Sequence, residues 1–108
     1  MATYSNTSYA LKNVPTTGSA VITTIASGTV AVSSLILSNT STAPITVNAY
    51  ITRSSVNYYL VYQATVPVGG SLEVIQGNRV VLITGDSLSV LASAATSADC
   101  WISALTAV

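Results

Sequence analysis

The chain has no histidine and no phenylalanine, one cysteine, and three basic and three acidic residues among 108. Each scarcity excludes something. Without imidazole there is no histidine-based triad, proton shuttle or imidazole-bound zinc. Cys100 has no second cysteine to pair with, so the chain cannot be a disulfide scaffold. One thiol and the carboxylates Glu73, Asp86 and Asp99 fall short of the ligand sets that zinc or calcium takes, so no metal or other cofactor is expected. Lys12, Arg53 and Arg79 cannot neutralise many phosphates, which excludes a nucleic-acid partner. The longest aliphatic run, Val80 to Ile83, is far short of the roughly 18 residues of a membrane helix, so no membrane partner is expected. Residues 1–6 show neither the basic nor the apolar part of a secretory signal, so no secretory signal is expected.

What is present is apolar and hydroxylic. Half of the residues are hydrophobic, and polarity comes from 16 Ser and 15 Thr. That composition is too apolar for disorder. The apolar residues recur with period two. Ile45, Val47, Ala49 and Ile51 alternate with polar neighbours or Tyr50; Tyr58, Leu60, Tyr62, Ala64 and Val66 form a second series; Leu72 with Val74 and Leu88 with Val90 form two more. Period two means strands with one face inward. Turn signals separate the series, among them Pro67-Val68-Gly69-Gly70, Gly85-Asp86 and Arg53-Ser54-Ser55-Val56-Asn57. Strands are predicted over 8–13, 20–26, 30–38, 45–53, 58–66, 71–75, 79–84, 87–92 and 99–107, with 92–98 a loop or a single helical turn.

Eight to nine short strands at this spacing predict an all-β chain: one antiparallel β-sandwich domain over 1–108, jelly-roll-like in one arrangement. Residues 1–13 are either its first strand or an arm. The expected core is Leu35, Leu37, Val47, Ile51, Leu60, Leu72, Val74, Leu82, Leu88, Val90 and Ile102.

Three stretches read as apolar on both faces: 30–37, with Val30, Val32 and Ile36 opposite Ala31, Leu35 and Leu37; 80–83; and 100–108, with Trp101 opposite Cys100 and Ile102. A strand apolar on both faces is either central with a few exposed side chains or part of a subunit interface. Near-zero net charge leaves little repulsion against association. The residues expected at such an interface are Tyr4, Tyr9, Ile36, Tyr50, Tyr58, Tyr59, Tyr62 and Trp101. Tyr50, Tyr58, Tyr59 and Tyr62 are also the material for a sugar-stacking platform.

Other constellations read as structural. Glu73 and Asp86 match a glycosidase pair only by being two carboxylates, and Asp86 reads as a turn residue. Lys12 with a nearby hydroxyl carries no information in so hydroxyl-rich a chain. Asn6-Thr7-Ser8 and Asn39-Thr40-Ser41 match the glycosylation sequon at the rate chance supplies. Cys100 reads as a small buried hydrophobe. No catalytic set emerges, and a non-enzymatic protein is expected.

Ser34-Leu35-Ile36-Leu37-Ser38-Asn39, the strand 45–51, Val66-Pro67-Val68-Gly69-Gly70-Ser71-Leu72 and Gly85-Asp86-Ser87-Leu88-Ser89-Val90-Leu91-Ala92-Ser93-Ala94 occur in that order. This ordered set resembles the small β-sandwich virion proteins of tailed bacteriophages, especially aquatic ones. The resemblance implies a multicopy virion component, a capsid decoration or cement protein. Its partners would be copies of itself and virion proteins such as the major capsid protein. The alternatives are a tail, collar or fibre-associated subunit, or a carbohydrate- or receptor-binding module using the tyrosines.

Overall fold

The computed structural model describes residues 4–107, the side chains of residue 4 and of residues 76–78 excepted. Eight strands follow one another: β1 (Tyr4–Leu11), β2 (Ser19–Ile22), β3 (Thr29–Asn39), β4 (Ile45–Arg53), β5 (Val56–Val66), β6 (Ser71–Ile83), β7 (Ser87–Ala92) and β8 (Ala98–Ala107). They form two four-stranded sheets, in the orders β1-β8-β3-β6 and β2-β7-β4-β5, and every pairing is antiparallel. First pairs with last, second with seventh, third with sixth and fourth with fifth. That is the order of a jelly roll, in which one long folded-back ribbon wraps into two layers. The 48 Å length of the molecule matches its longest strands, since 11–13 residues at ~3.3 Å each span about 40 Å.

The observed strands correct the predicted ones in three places. The first runs over 4–11 and pairs with β8 throughout, so this part of the 1–13 segment is a strand and not an arm. The second stops at Ile22. The stretches 71–75 and 79–84 are one strand, β6, because residues between them keep pairing across a register slip. Residues 93–97 are a loop, with Thr96 at φ 54°.

Register slips also correct the assignment of faces. Between Val32 and Ser34 the pairing of β3 slips against both neighbours. One extra residue inverts the alternation, because side chains change face at every step. Val30 and Val32 therefore point inward with Leu35 and Leu37, all buried, while Ile36 faces out and is half-buried. The Ser33 hydroxyl donates to the Ser103 carbonyl at 3.0 Å across the slip. A second slip lets both Leu72 and Ile75 meet inward-facing partners, Leu37 and Leu35, so buried Ile75 takes the place expected of Val74. In β5 two slips against β4 break the series predicted over 58–66: Ala64 and Val61 pack on the core, and Tyr62 faces solvent.

The core lies between the layers. Leu35, Leu37, Val47, Leu82, Leu88, Val90 and Ile102 are fully buried as expected, whereas Ile51, Leu60, Leu72 and Val74 are half-buried at its margin. Val14, in the loop after β1, closes one end: it is fully buried, and its N–H donates to the Ala98 carbonyl at 2.7 Å.

Turns follow the residues available. Gly69 (φ 70°) allows the Gly70 N–H to reach the Pro67 carbonyl at 3.0 Å, and Gly85 (φ 94°) serves the bond from Asp86 N–H to the Ile83 carbonyl at 3.0 Å. The β4–β5 turn is less well matched. Arg53 pairs with Val56, leaving a two-residue loop in which Ser54 and Ser55 both have positive φ, 53° and 64°. Loops of this geometry favour Asn-Gly, because a Cβ strains the left-handed region. Replacing Ser55 with glycine is expected to stabilise the fold by about 0.5–1 kcal/mol in denaturant titrations, and replacement with valine to destabilise it.

Candidate interaction surfaces

Chemistry on this sandwich concentrates on the outer faces of the two sheets and at the end that carries the β4–β5 turn. On the β1-β8-β3-β6 sheet, cross-strand register places Ala10, Trp101, Ile36 and Glu73 in one row. Trp101 is 53% exposed although a tryptophan is among the costliest side chains to leave in water. Farther along the same face, Ala31 lies between Leu105 and Val81, and Val81 and Ile83 are 51% and 44% exposed. Between these apolar rows, at the β3 slip, lies an open hydroxyl-lined depression of about 350 Å³ bordered by Asn6, Ser8, Ser33 and Ser103. Beside Trp101, Lys12 and Asp99 pair at 2.9 Å. The lysine ammonium and the Asn13 N–H hold the Asp99 carboxyl below the usual carboxylate range.

On the other sheet the slips in β5 sort the tyrosines. Tyr50 pairs with Tyr59, their rings 5.1 Å apart, and the Tyr59 and Tyr62 rings meet edge to face at 5.1 Å. The turn needed to place them depends on Asn48, whose buried side-chain oxygen accepts the Gln63 N–H at 2.7 Å, where Gln63 has φ 51°. Tyr50 reaches toward the chain ahead of β2, and a methyl at Gly18 would overlap its hydroxyl. Tyr58 departs from this group. It pairs with Ile51, on the opposite face, and borders a depression of about 290 Å³ with Ile51 and Arg53.

The remaining expected interface residues divide. Ile36 and Trp101 stand side by side; Tyr9 points inward and packs partly against the core. Tyr4 pairs through its backbone with Ala107, and its side chain lies outside the described residues.

Asp86 proves to be more than the turn residue expected from sequence. It is fully buried, and its carboxylate accepts from Arg53 Nε at 2.8 Å, from the second guanidinium nitrogen at 2.6 Å and from the Ile83 N–H at 2.9 Å. Its own backbone carbonyl accepts from the Ile25 N–H at 3.0 Å. One residue thereby ties the ends of β4 and β6 to the loop after β2. The arginine holds the carboxyl below its ordinary range despite burial. No sequence signal distinguished it, because Gly-Asp is ordinary turn text.

Asn39 is likewise structural. It is buried, donating to the Ala43 and Val66 carbonyls and accepting from the Ser41 N–H, so its amide is committed within the fold. Cys100 is buried, and desolvation pushes its thiol up to about 12, far from the thiolate needed for reaction. Among the described residues no group of three His, Cys, Asp or Glu side chains is placed to hold a metal ion, and no helix is long and apolar enough to cross a membrane.

No protein-family model and no curated protein matches the chain. A solved structure of a Bacillus endospore appendage, described as one of a family of disulfide-linked pili, is similar in fold, with a TM-score of 0.54 at 15% identity over 97% of this chain and 87% of that one. The likeness is one of architecture.

Proposed function

We propose that the protein is a non-enzymatic structural subunit that works in many copies, held to its neighbours through apolar sheet surfaces and strand edges. The observation that carries this reading is the outer face of the β1-β8-β3-β6 sheet. Its inner face already fills the core, yet Trp101, Val81 and Ile83 remain in water on the other side. An apolar face of this kind marks a contact surface when few charges surround it.

In its most specific form the reading is a phage virion protein that decorates the capsid, made in the host cytoplasm and bound to copies of itself and to the major capsid protein. The ordered sequence resemblance supports it, as does the jelly-roll topology, which recurs in capsid domains. A tail, collar or fibre location uses the same surfaces. The endospore appendage is a polymer by its description, which accords with assembly as the common use of such a sandwich. Unlike that disulfide-linked protein, this chain would assemble without covalent links, since its one cysteine is buried.

The test is solution mass at low and high salt, with and without phage particles lacking the protein. Contacts built on apolar area are expected to persist or strengthen as salt rises, whereas contacts between exposed charges are screened. A monomer that ignores such particles, or an oligomer that dissolves as salt rises, overturns the reading. The tyrosine cluster favours a second reading, a glycan-binding module, because Tyr62 is 63% exposed. The edge-to-face arrangement of Tyr59 and Tyr62 presents no single flat platform, and this reading has the weaker support. Replacing Tyr62 with alanine abolishes sugar binding under the second reading and leaves assembly through Trp101 intact under the first.

A further inference from the structure

Two open sheets have four edge strands, here β1, β6, β2 and β5. Exposed edges invite pairing with another chain, and proteins blunt them by shortness, bulges or charge. Three of the four are blunted. β5 slips twice against β4 and carries Gln63 in the left-handed region. β6 slips twice against β3 and bears Glu73 and Arg79. β2 has four residues and is irregular against β7.

β1 has none of these devices. It pairs with β8 over all eight residues, Tyr4 to Leu11, without a slip. Its sequence, Tyr-Ser-Asn-Thr-Ser-Tyr-Ala-Leu, has no charge, proline or glycine. Among the described residues nothing pairs along its other side. In an antiparallel strand alternate residues direct their N–H and C=O groups to opposite sides, so half of the β1 backbone groups face away from β8.

We infer that β1 is a dimer interface that pairs antiparallel with β1 of a second copy across a twofold axis, joining two four-stranded sheets into one of eight. This deepens the structural-subunit reading and rests on it. The second copy is the occupant the observations favour. The protein's own remaining edges are blunted, so a copy has only β1 to offer β1. The strand is uncharged and therefore meets itself without repulsion. A twofold pairing satisfies both copies at once and closes. It also extends the outer face that carries Trp101 across both subunits. The faces match only if outward residues meet outward residues, and with the greatest overlap of the two eight-residue strands that places either Thr7 or Ser8 on the axis.

Two measurements test this. Sedimentation of the wild-type protein is expected to show a dimer. Asn6→Lys with Ser8→Lys changes two exposed outer-face positions and brings like charges together across the axis. It should raise the dimer dissociation constant roughly tenfold or more, most at low salt, with an unchanged far-UV spectrum. Thr65→Lys on the blunted β5 edge should leave the constant unchanged. Independently, oxidation of Thr7→Cys or of Ser8→Cys should yield a cross-linked dimer for whichever residue lies on the axis, with buried Cys100 not competing.

An oligomer indifferent to the β1 lysines, or one weakened equally by Thr65→Lys, overturns the edge pairing and leaves the structural-subunit reading standing. So does a wild-type monomer that still binds particles. A monomer that binds no particle overturns both. Failure of both cysteine variants to cross-link under oxidation also counts against the edge pairing.

Discussion

Truncating Leu37 or Leu88 to alanine is expected to lower the unfolding free energy by about 2–5 kcal/mol each. Both side chains are fully buried, and they lie on different layers, Leu37 on β3 and Leu88 on β7. The loss combines the transfer free energy of the removed methyls with a cavity that a packed interior closes only in part. Leu37 pairs with Cys100 on one side and with Leu72 on the other, in the paired interior of its sheet. Total stabilities of small domains are only ~5–15 kcal/mol, so either change should move the chemical-denaturation midpoint well outside error. Ile36→Ala, on the outer side of the same strand, is the internal control and should cost the isolated subunit much less. Equal losses at positions 36 and 37 would show that the face assignment after the β3 slip is wrong.

Replacing Asp86 with alanine is expected to cost about 1–3 kcal/mol, through loss of the buried carboxylate's bonds to the Ile83 N–H and to the half-exposed Arg53. The same group predicts an acid dependence. Its folded-state carboxyl is held below the ordinary value by Arg53, so the unfolded chain takes up the proton first as pH falls. The stabilisation is fully present above the unfolded pKa of about 3.9 and is lost as pH falls through the lower folded value. Asp99, lowered by Lys12 and the Asn13 N–H, adds in the same direction, but its pair is exposed and screened. Thermal melting between neutral pH and pH ~2 should therefore fall in the acid range, and Asp86→Asn should flatten that fall. An Asp86→Asn protein with the wild-type acid slope would remove Asp86 from this role.

Both predictions rest on features unequally visible in the sequence. Period-two patterning with turn residues at short intervals was enough to state an antiparallel sandwich. Strands β4 and β7 keep their predicted ends because Pro44, Ser54-Ser55, Gly85-Asp86 and Ser93 punctuate them locally. The same local chemistry located part of the core, including Leu35, Leu37, Val47, Leu88 and Ile102, but not Val30, Val32, Ile75 or Val14. The absence of histidine and the scarcity of charge were equally direct, since composition does not depend on folding. Register was beyond that reach. A slip is a relation between two strands, and nothing in the text of β3, β5 or β6 alone says where a partner skips a residue. For that reason Val30, Val32, Tyr62 and Val74 were assigned by a parity that the slips invert, and the four tyrosines read as one group became three rings in contact and one apart. Long-range pairing likewise decided that Asp86 meets Arg53 and that β1 is left with an open, unbroken edge. Local propensity determined which residues form strands and turns in this protein; only the tertiary structure, through pairings between segments far apart in the chain, decided which face and which edge each strand presents.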